Sequence, residues 1–134
     1  MKIIKLEVGK KAFLKEIDET DKLSAMQEEV GGLIELILLE DGVAMVVNEE
    51  GLINGSKLNR IVKDKNDEVI TIAAGNCFIC GDTGEDLTSI PEDKIRKYIE
   101  RYIYPQHFFK CGNKIMAQQY DPEKRVAIEE PEIF

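Results

Sequence analysis

The sequence predicts a single α+β domain, in which a twisted, mostly antiparallel sheet of about five to six strands packs with two helices. Its short apolar runs, such as residues 33–39 and 43–47, are strand-sized, and Asp41-Gly42 between these two is a strong hairpin signal. Two other stretches carry apolar residues at helical spacing. A chain of 134 residues can bury one core and fits one domain.

The N-terminal part is predicted to form a hairpin followed by a short helix. Strand-like runs, with a turn between them, fall within residues 2–17. A helix of about residues 21–30 follows, because Thr20 or Asp21 can cap its start and Gly31 can end it with a positive φ.

The middle of the chain is predicted to supply the central strands of the sheet. The runs at 33–39 and 43–47 are apolar at nearly every position, as in strands that are covered on both faces. Residues 56–63 fit either one irregular helical turn or a loop. A strand is expected over residues 68–80, with a bulge or bend at Gly75.

The C-terminal part begins with a longer amphipathic helix of about residues 91–103. Ser89 and Glu92 have the spacing of a capping box at its start. A last edge strand then completes a domain that spans residues 1–120, and residues 121–134 are predicted to be an acidic tail.

Charge and hydropathy limit the classes of partner. The net charge is -8, which disfavours direct binding to nucleic acid or to an anionic membrane but leaves room for a small nucleotide in a local basic pocket. No apolar run is long enough for a membrane span or the core of a signal peptide. With three cysteines and no export signal, we expect a cytoplasmic protein.

Four residues have the chemistry of a zinc site. Cys77 and Cys80 have the spacing of a zinc knuckle, and His107 with Cys111 would complete a Cys₃His set. However, residues three apart on a strand face opposite sides, so the alternative is that the first two are small buried side chains. We expect no cofactor.

Asn59 and Arg60 stand out as candidate ligand groups because they lie in an otherwise apolar segment. Amide and guanidinium groups suit the edge of a base or the oxygens of a phosphate, although Asn also favours ordinary turns. The chain has one histidine and no Gly-x-Ser-x-Gly motif, so we expect a non-enzymatic protein.

Several short motifs occur in a characteristic order along the first three quarters of the chain. They are Val30-Gly31-Gly32 followed by Ile34-Glu35, Val46-Val47-Asn48-Glu49-Glu50-Gly51, Leu58-Asn59-Arg60, Ala74-Gly75 followed by Phe78-Ile79, and Glu85-Asp86-Leu87-Thr88-Ser89. In these motifs the chain resembles a family of phages and conjugative elements of Gram-positive bacteria that is catalogued as domain of unknown function 3846. That resemblance implies no enzymatic activity.

In the order of its elements the chain is also similar to viral sponge proteins that sequester the cyclic ADP-ribose signals of Thoeris defence. This resemblance implies a homo-oligomer that encloses a nucleotide, with Arg60 as a phosphate clamp, Phe78 as a stacking ring and Thr88 as a hydroxyl donor. Together with Asn59 and Asp86, these residues form the predicted ligand site.

Three functions are therefore expected in turn. The first is a mobile-element counter-defence protein that sequesters a small nucleotide signal, of cyclic ADP-ribose type or a cyclic oligonucleotide. The second is an acidic inhibitor that blocks a host defence protein, such as a CRISPR or restriction nuclease, by direct binding or DNA mimicry. Its candidate carboxylates are Glu28, Glu35, Glu49, Glu50, Glu85 and Asp86. The third is a zinc-stabilised structural module.

Overall fold

The computed structural model describes residues 1–133, which form eleven strands and two helices. The strands are β1 (Lys2–Leu6), β2 (Phe13–Glu16), β3 (Ile34–Glu40), β4 (Val43–Asn48), β5 (Leu58–Lys63), β6 (Val69–Ala74), β7 (Cys77–Asp82), β8 (Leu87–Thr88), β9 (Gln106–Cys111), β10 (Lys114–Asp121) and β11 (Val126–Ile133). The helices are α1 (Lys22–Val30) and α2 (Glu92–Tyr102).

The predicted α+β class and the main antiparallel sheet are confirmed. This sheet has the strand order β2-β1-β7-β4-β3, and the short β8 pairs with β7. The hairpin predicted at Asp41-Gly42 joins β3 to β4, with Gly42 at φ 87°. The prediction that residues 33–39 form a central strand is wrong, because β3 lies at the edge of the sheet and exposes Leu36 and Leu38.

Two apolar clusters lie on opposite faces of the main sheet. Alternate residues of a strand point to opposite faces, so β7 places Ile79 in the cluster beneath α2 and Phe78 in the cluster beneath α1. Tyr98 and Tyr102 of α2 complete the first cluster, and Met26 of α1 belongs to the second. The main sheet is therefore the middle layer of the fold.

Both helices begin close to their predicted positions, but they are capped differently. The Asp21 side chain accepts a hydrogen bond from the Ser24 amide, as expected of an N-cap. Ser89 does not cap α2, because its hydroxyl instead accepts a hydrogen bond from the Lys2 amide of β1. The predicted capping box is therefore a contact between the sheet and the segment that precedes α2.

The segment at 56–63 forms neither a helical turn nor a loop. Residues Leu58–Lys63 are β5, which pairs with β6 in a two-stranded sheet. Its register shifts between Leu58 and Arg60, so the strand is irregular and its apolar residues do not alternate strictly. This irregularity explains why the sequence pattern did not indicate a strand.

Most of the predicted C-terminal tail is a strand rather than a tail. β11 pairs with β10, which also pairs with β9, so residues from Gln106 onward form a three-stranded sheet. The Gln118 amide donates to the carbonyls of Ile128 and Glu129, at 3.1 and 2.7 Å, across a bulge in this pairing. Main-chain pairing therefore holds a segment whose acidic composition is typical of a tail. Residue 134, the end of the predicted tail, lies outside the described residues.

Candidate functional site

Arg60 is buried inside the protein, with 1% of its surface exposed. Its guanidinium donates to the carbonyls of Tyr102 at 3.0 Å, Lys10 at 2.6 Å and Glu7 at 3.4 Å, and to the side-chain oxygen of Asn59 at 2.6 Å. Burial lowers the pKa of this guanidinium to about 10, so it remains charged at neutral pH. Arg60 thus connects β5 to the end of α2 and to the β1–β2 loop.

Asn59 has a similar internal role. Its amide group donates to the carbonyls of Leu6 and Gly75, both at 2.9 Å, and its own oxygen accepts from Arg60. The two polar side chains of β5 therefore spend their hydrogen-bonding groups on main-chain carbonyls and on each other. In this arrangement, their donors face the interior and not an open pocket.

The other three predicted ligand residues lie elsewhere. Phe78 is fully buried in the cluster beneath α1, across the main sheet from Arg60. Asp86 forms an ion pair with Lys22 at 2.8 Å, which lowers the pKa of its carboxyl. The Thr88 hydroxyl donates to the Ser89 carbonyl at 3.3 Å. The structure brings Asn59 and Arg60 together but does not bring the five residues into one pocket.

The four residues of the zinc hypothesis are also separated. Cys77 belongs to the cluster beneath α2 and Cys80 to the cluster beneath α1, as strand geometry requires for positions three apart. Burial raises the pKa of both thiols to about 12. His107 and Cys111 lie on β9, in another sheet. Within residues 1–133, no three His, Cys, Asp or Glu side chains are grouped closely enough to hold a metal ion.

The carboxylates of the mimicry hypothesis do not follow one edge of the protein. Glu49 and Glu50 follow the end of β4, whereas Glu85 follows the end of β7. Because β4 and β7 are antiparallel neighbours, these two groups lie at opposite ends of the sheet. Glu28 is on α1 and Glu35 is on β3.

A feature that the sequence did not single out lies on the three-stranded sheet. His107 of β9 is directly opposite Gln118 of β10, and Tyr120 lies two residues further along on the same face. The rings of His107 and Tyr120 are stacked, with their centroids 3.8 Å apart and their planes 8° from parallel. We call these two rings the stacked pair.

A cavity opens on each side of the stacked pair. One has a volume of about 470 Å³ and includes Lys57 and Leu58 in its lining, and the other has a volume of about 460 Å³ and includes Arg125. Both are lined by His107 and Tyr120. Each volume lies within the usual range for small-molecule sites.

The cations around this sheet differ from those of the main sheet. Basic side chains such as Lys22, Lys94 and Lys97 are neutralised by neighbouring carboxylates. Within the described part of the chain, no carboxylate forms an ion pair with five basic residues on or beside the three-stranded sheet, namely Lys57, Lys110, Lys114, Lys124 and Arg125. This surface is locally basic on a protein whose net charge is -8.

One signal in the sequence could have indicated the stacked pair. Gly112-Asn113 is a two-residue sequence that favours a tight hairpin turn. A hairpin at that point pairs Cys111 with Lys114 and therefore His107 with Gln118, which is the observed register. Stacking of the two rings depends on side-chain conformations, which the turn does not determine.

No helix among residues 1–133 is long and apolar enough to cross a membrane. Comparison with known proteins gives a family but no characterised relative, since no curated protein and no solved structure matches the chain. The family described as Domain of unknown function (DUF3846) matches residues 1–103, which include the main sheet, both helices and the β5–β6 hairpin. The sheet with the stacked pair follows this region, and the chain belongs to the DUF3846 family.

Proposed function

We propose that this protein is a non-enzymatic, cytoplasmic binding protein that holds a small nucleotide on the outer face of the β9–β11 sheet. The nucleotide is of cyclic ADP-ribose type or a cyclic oligonucleotide, and its sequestration would withdraw a signal from host defence. The observation that carries the proposal is the stacked pair between two cavities, with unneutralised cations beside it.

The ring faces supply the attraction for a base. An aromatic side chain offers a flat, apolar surface on which any base can stack, and such stacking contributes about 1–3 kcal/mol per base. His107 and Tyr120 are already parallel, so a base on the outer face of either ring would extend an existing stack. Little ordering of these two side chains is then required on binding.

The cations supply the attraction for phosphate. Arg125 lines the cavity on one side of the stacked pair and Lys57 lines the cavity on the other. Arginine can hold a phosphate through two parallel hydrogen bonds, and neither of these two cations forms an ion pair that a ligand would have to break. A compact nucleotide, with its base and phosphates close together, matches this arrangement better than an extended strand.

Isothermal titration with cyclic ADP-ribose isomers and cyclic dinucleotides tests the proposal. We expect the unchanged protein to bind one of them, and Tyr120→Ala or Arg125→Gln to weaken binding about tenfold or more. Arg96→Gln is the matched control, because Arg96 is exposed on α2 and paired with Glu100. Absence of binding to every nucleotide would refute the proposal.

A second pair of variants separates stacking from simple loss of structure. His107→Phe keeps an aromatic ring on β9, whereas His107→Ala removes it. If a base stacks here, the phenylalanine variant retains most of the affinity and the alanine variant does not. Equal affinity of the two variants would contradict a role for the ring.

A further inference from the structure

The second free surface of the molecule is the outer edge of β3. This strand has seven residues and pairs only with β4 among the strands of residues 1–133. Leu36 and Leu38 are 46% and 61% exposed, which is unusual for large apolar side chains on the edge of a sheet. A groove of about 420 Å³ runs between β3 and β6 beside it, and its lining includes Leu52 and Ile70.

The main-chain groups at this edge can be identified from the pairing of β3 with β4. The Glu49 amide donates to the Leu33 carbonyl, so Ile34 and Asn48 form a non-hydrogen-bonded pair of the antiparallel ladder. Because such pairs alternate, the N–H and C=O groups of Leu36 and Leu38 point away from β4. They are available to another strand.

The other edge of the same sheet is protected in a way that β3 is not. β2 has only four residues, and two of them, Lys15 and Glu16, are charged. Lys15 also forms an ion pair with Glu29, and Glu16 with the N-terminal ammonium. Short length and charge are common devices that prevent association at a sheet edge. β3 is longer and carries its carboxylates only at positions 35 and 40.

We infer that β3 pairs antiparallel with β3 of a second copy of this chain, across a two-fold axis. The five-strand paths of the two copies would then form one continuous sheet. A symmetric pairing of this kind satisfies the free main-chain groups of both copies at once. It also covers Leu36 and Leu38 with the same residues of the partner copy.

Charge selects among the possible registers. A two-fold axis at Glu35 would place the two Glu35 carboxylates directly opposite each other, which is unfavourable. An axis at Leu36 places Glu35 opposite Ile37 of the other copy, and an axis at Ile37 places Leu36 opposite Leu38. Both of these registers bring apolar side chains together and keep the carboxylates apart.

Sedimentation equilibrium of the full chain tests this inference. We expect a dimer at concentrations up to about 100 μM, and a monomer for Leu36→Lys. Leu14→Lys is the matched control, since Leu14 is 44% exposed on β2 at the opposite edge, and it should leave the dimer intact. A monomeric unchanged protein would overturn the inference and leave the edge for a strand of another protein. Dissociation caused by Leu14→Lys would overturn it as well.

Disulfide cross-linking gives a readout that depends on the register. In a Cys111→Ser background, Leu36→Cys or Ile37→Cys should form a disulfide between copies, because facing Cα atoms would be about 5.5 or 4.5 Å apart. The two remaining cysteines, Cys77 and Cys80, are buried and do not interfere. A dimer in which neither variant cross-links would refute β3 pairing.

Discussion

Arg60 shows how a polar residue in an apolar segment can serve the fold. The sequence identified Asn59 and Arg60 as unusual but could not show which groups they contact, because their partners are carbonyls of residues about 40 to 50 positions away. The guanidinium fork reaches three of these carbonyls at once, and the carbonyl of Tyr102 belongs to the last turn of α2. A single cation thereby joins three parts of the chain.

Replacing Arg60 should affect stability first. Arg60→Ala leaves several buried carbonyls without a donor, so we expect a loss of about 3 kcal/mol in the free energy of unfolding. Arg60→Lys should also destabilise, since an ammonium cannot reproduce the fork. Urea denaturation measures both effects. Arg96→Ala, at a 90% exposed side chain, should change stability by less than about 0.5 kcal/mol, and an equally small effect of Arg60→Ala would contradict the structural role.

Glu40 occupies the most strongly favourable environment for a carboxylate in the described chain. It accepts hydrogen bonds from the Tyr98 hydroxyl at 2.6 Å and from Lys97 at 2.9 Å, and Lys94 is 3.4 Å away. Mainly because of the bond from Tyr98, and then that from Lys97, its pKa falls from 4.5 to about 2. Glu40 therefore connects the end of β3 to α2.

This pKa predicts a dependence of stability on pH. Because the folded-state pKa lies below the unfolded-state value, the stabilisation is present above pH 4.5 and is lost as the pH falls towards about 2. We expect Glu40→Gln to remove about 3 kcal/mol of this dependence, measured as the free energy of unfolding across that range. Glu100→Gln, at an exposed carboxylate paired with Arg96, should leave the pH profile nearly unchanged. Equal profiles for the two variants would show that Glu40 has no such role.

At the scale of elements, hydropathy predicted which segments are strands better than where they lie. Residues of β3 are as apolar as those of β4, yet β3 is an edge and β4 is central. A free edge that binds another chain has the same composition as a buried strand, so the pattern alone cannot separate the two. The acidic composition of β11 concealed a strand in the same way, because main-chain pairing does not depend on side-chain polarity.

Amide hydrogen exchange tests whether β11 is a strand in solution. Amides of residues 126–133 that donate to β10 should exchange at least about tenfold more slowly than those of an unpaired peptide. Gln118→Ala should increase exchange near Ile128 and Glu129, since it removes the donor to both carbonyls. Gln27→Ala on α1 is a suitable control. Uniformly fast exchange over residues 126–133 would restore the prediction of a tail.

At the scale of the whole molecule, the sequence predicted the α+β class, the two helices and the antiparallel main sheet. These features depend on local patterns and on turns such as Asp41-Gly42, which short segments encode directly. The predicted ligand set combined residues from opposite faces of that sheet, since the face of a residue depends on register and on the bulges within it. The stacked pair required both register and side-chain conformation.

The molecule has a family region that contains its two apolar clusters and a C-terminal sheet that carries the proposed ligand site. Neither cluster includes a residue beyond Ile103, so the apolar core is complete within residues 1–103. If β3 joins two copies, dimer formation and nucleotide binding use separate surfaces. Variants on β3 should then change the oligomeric state without changing the affinity of the stacked pair for a nucleotide.

The position of the ligand site can be decided by NMR, with a cyclic ADP-ribose isomer or a cyclic dinucleotide titrated into the labelled protein. We expect the largest shifts at the side chains of His107 and Tyr120 and at the amides around Lys57 and Arg125. Shifts centred on Arg60 and on the loop near Thr88, or no shifts with any nucleotide, would contradict a site on the three-stranded sheet.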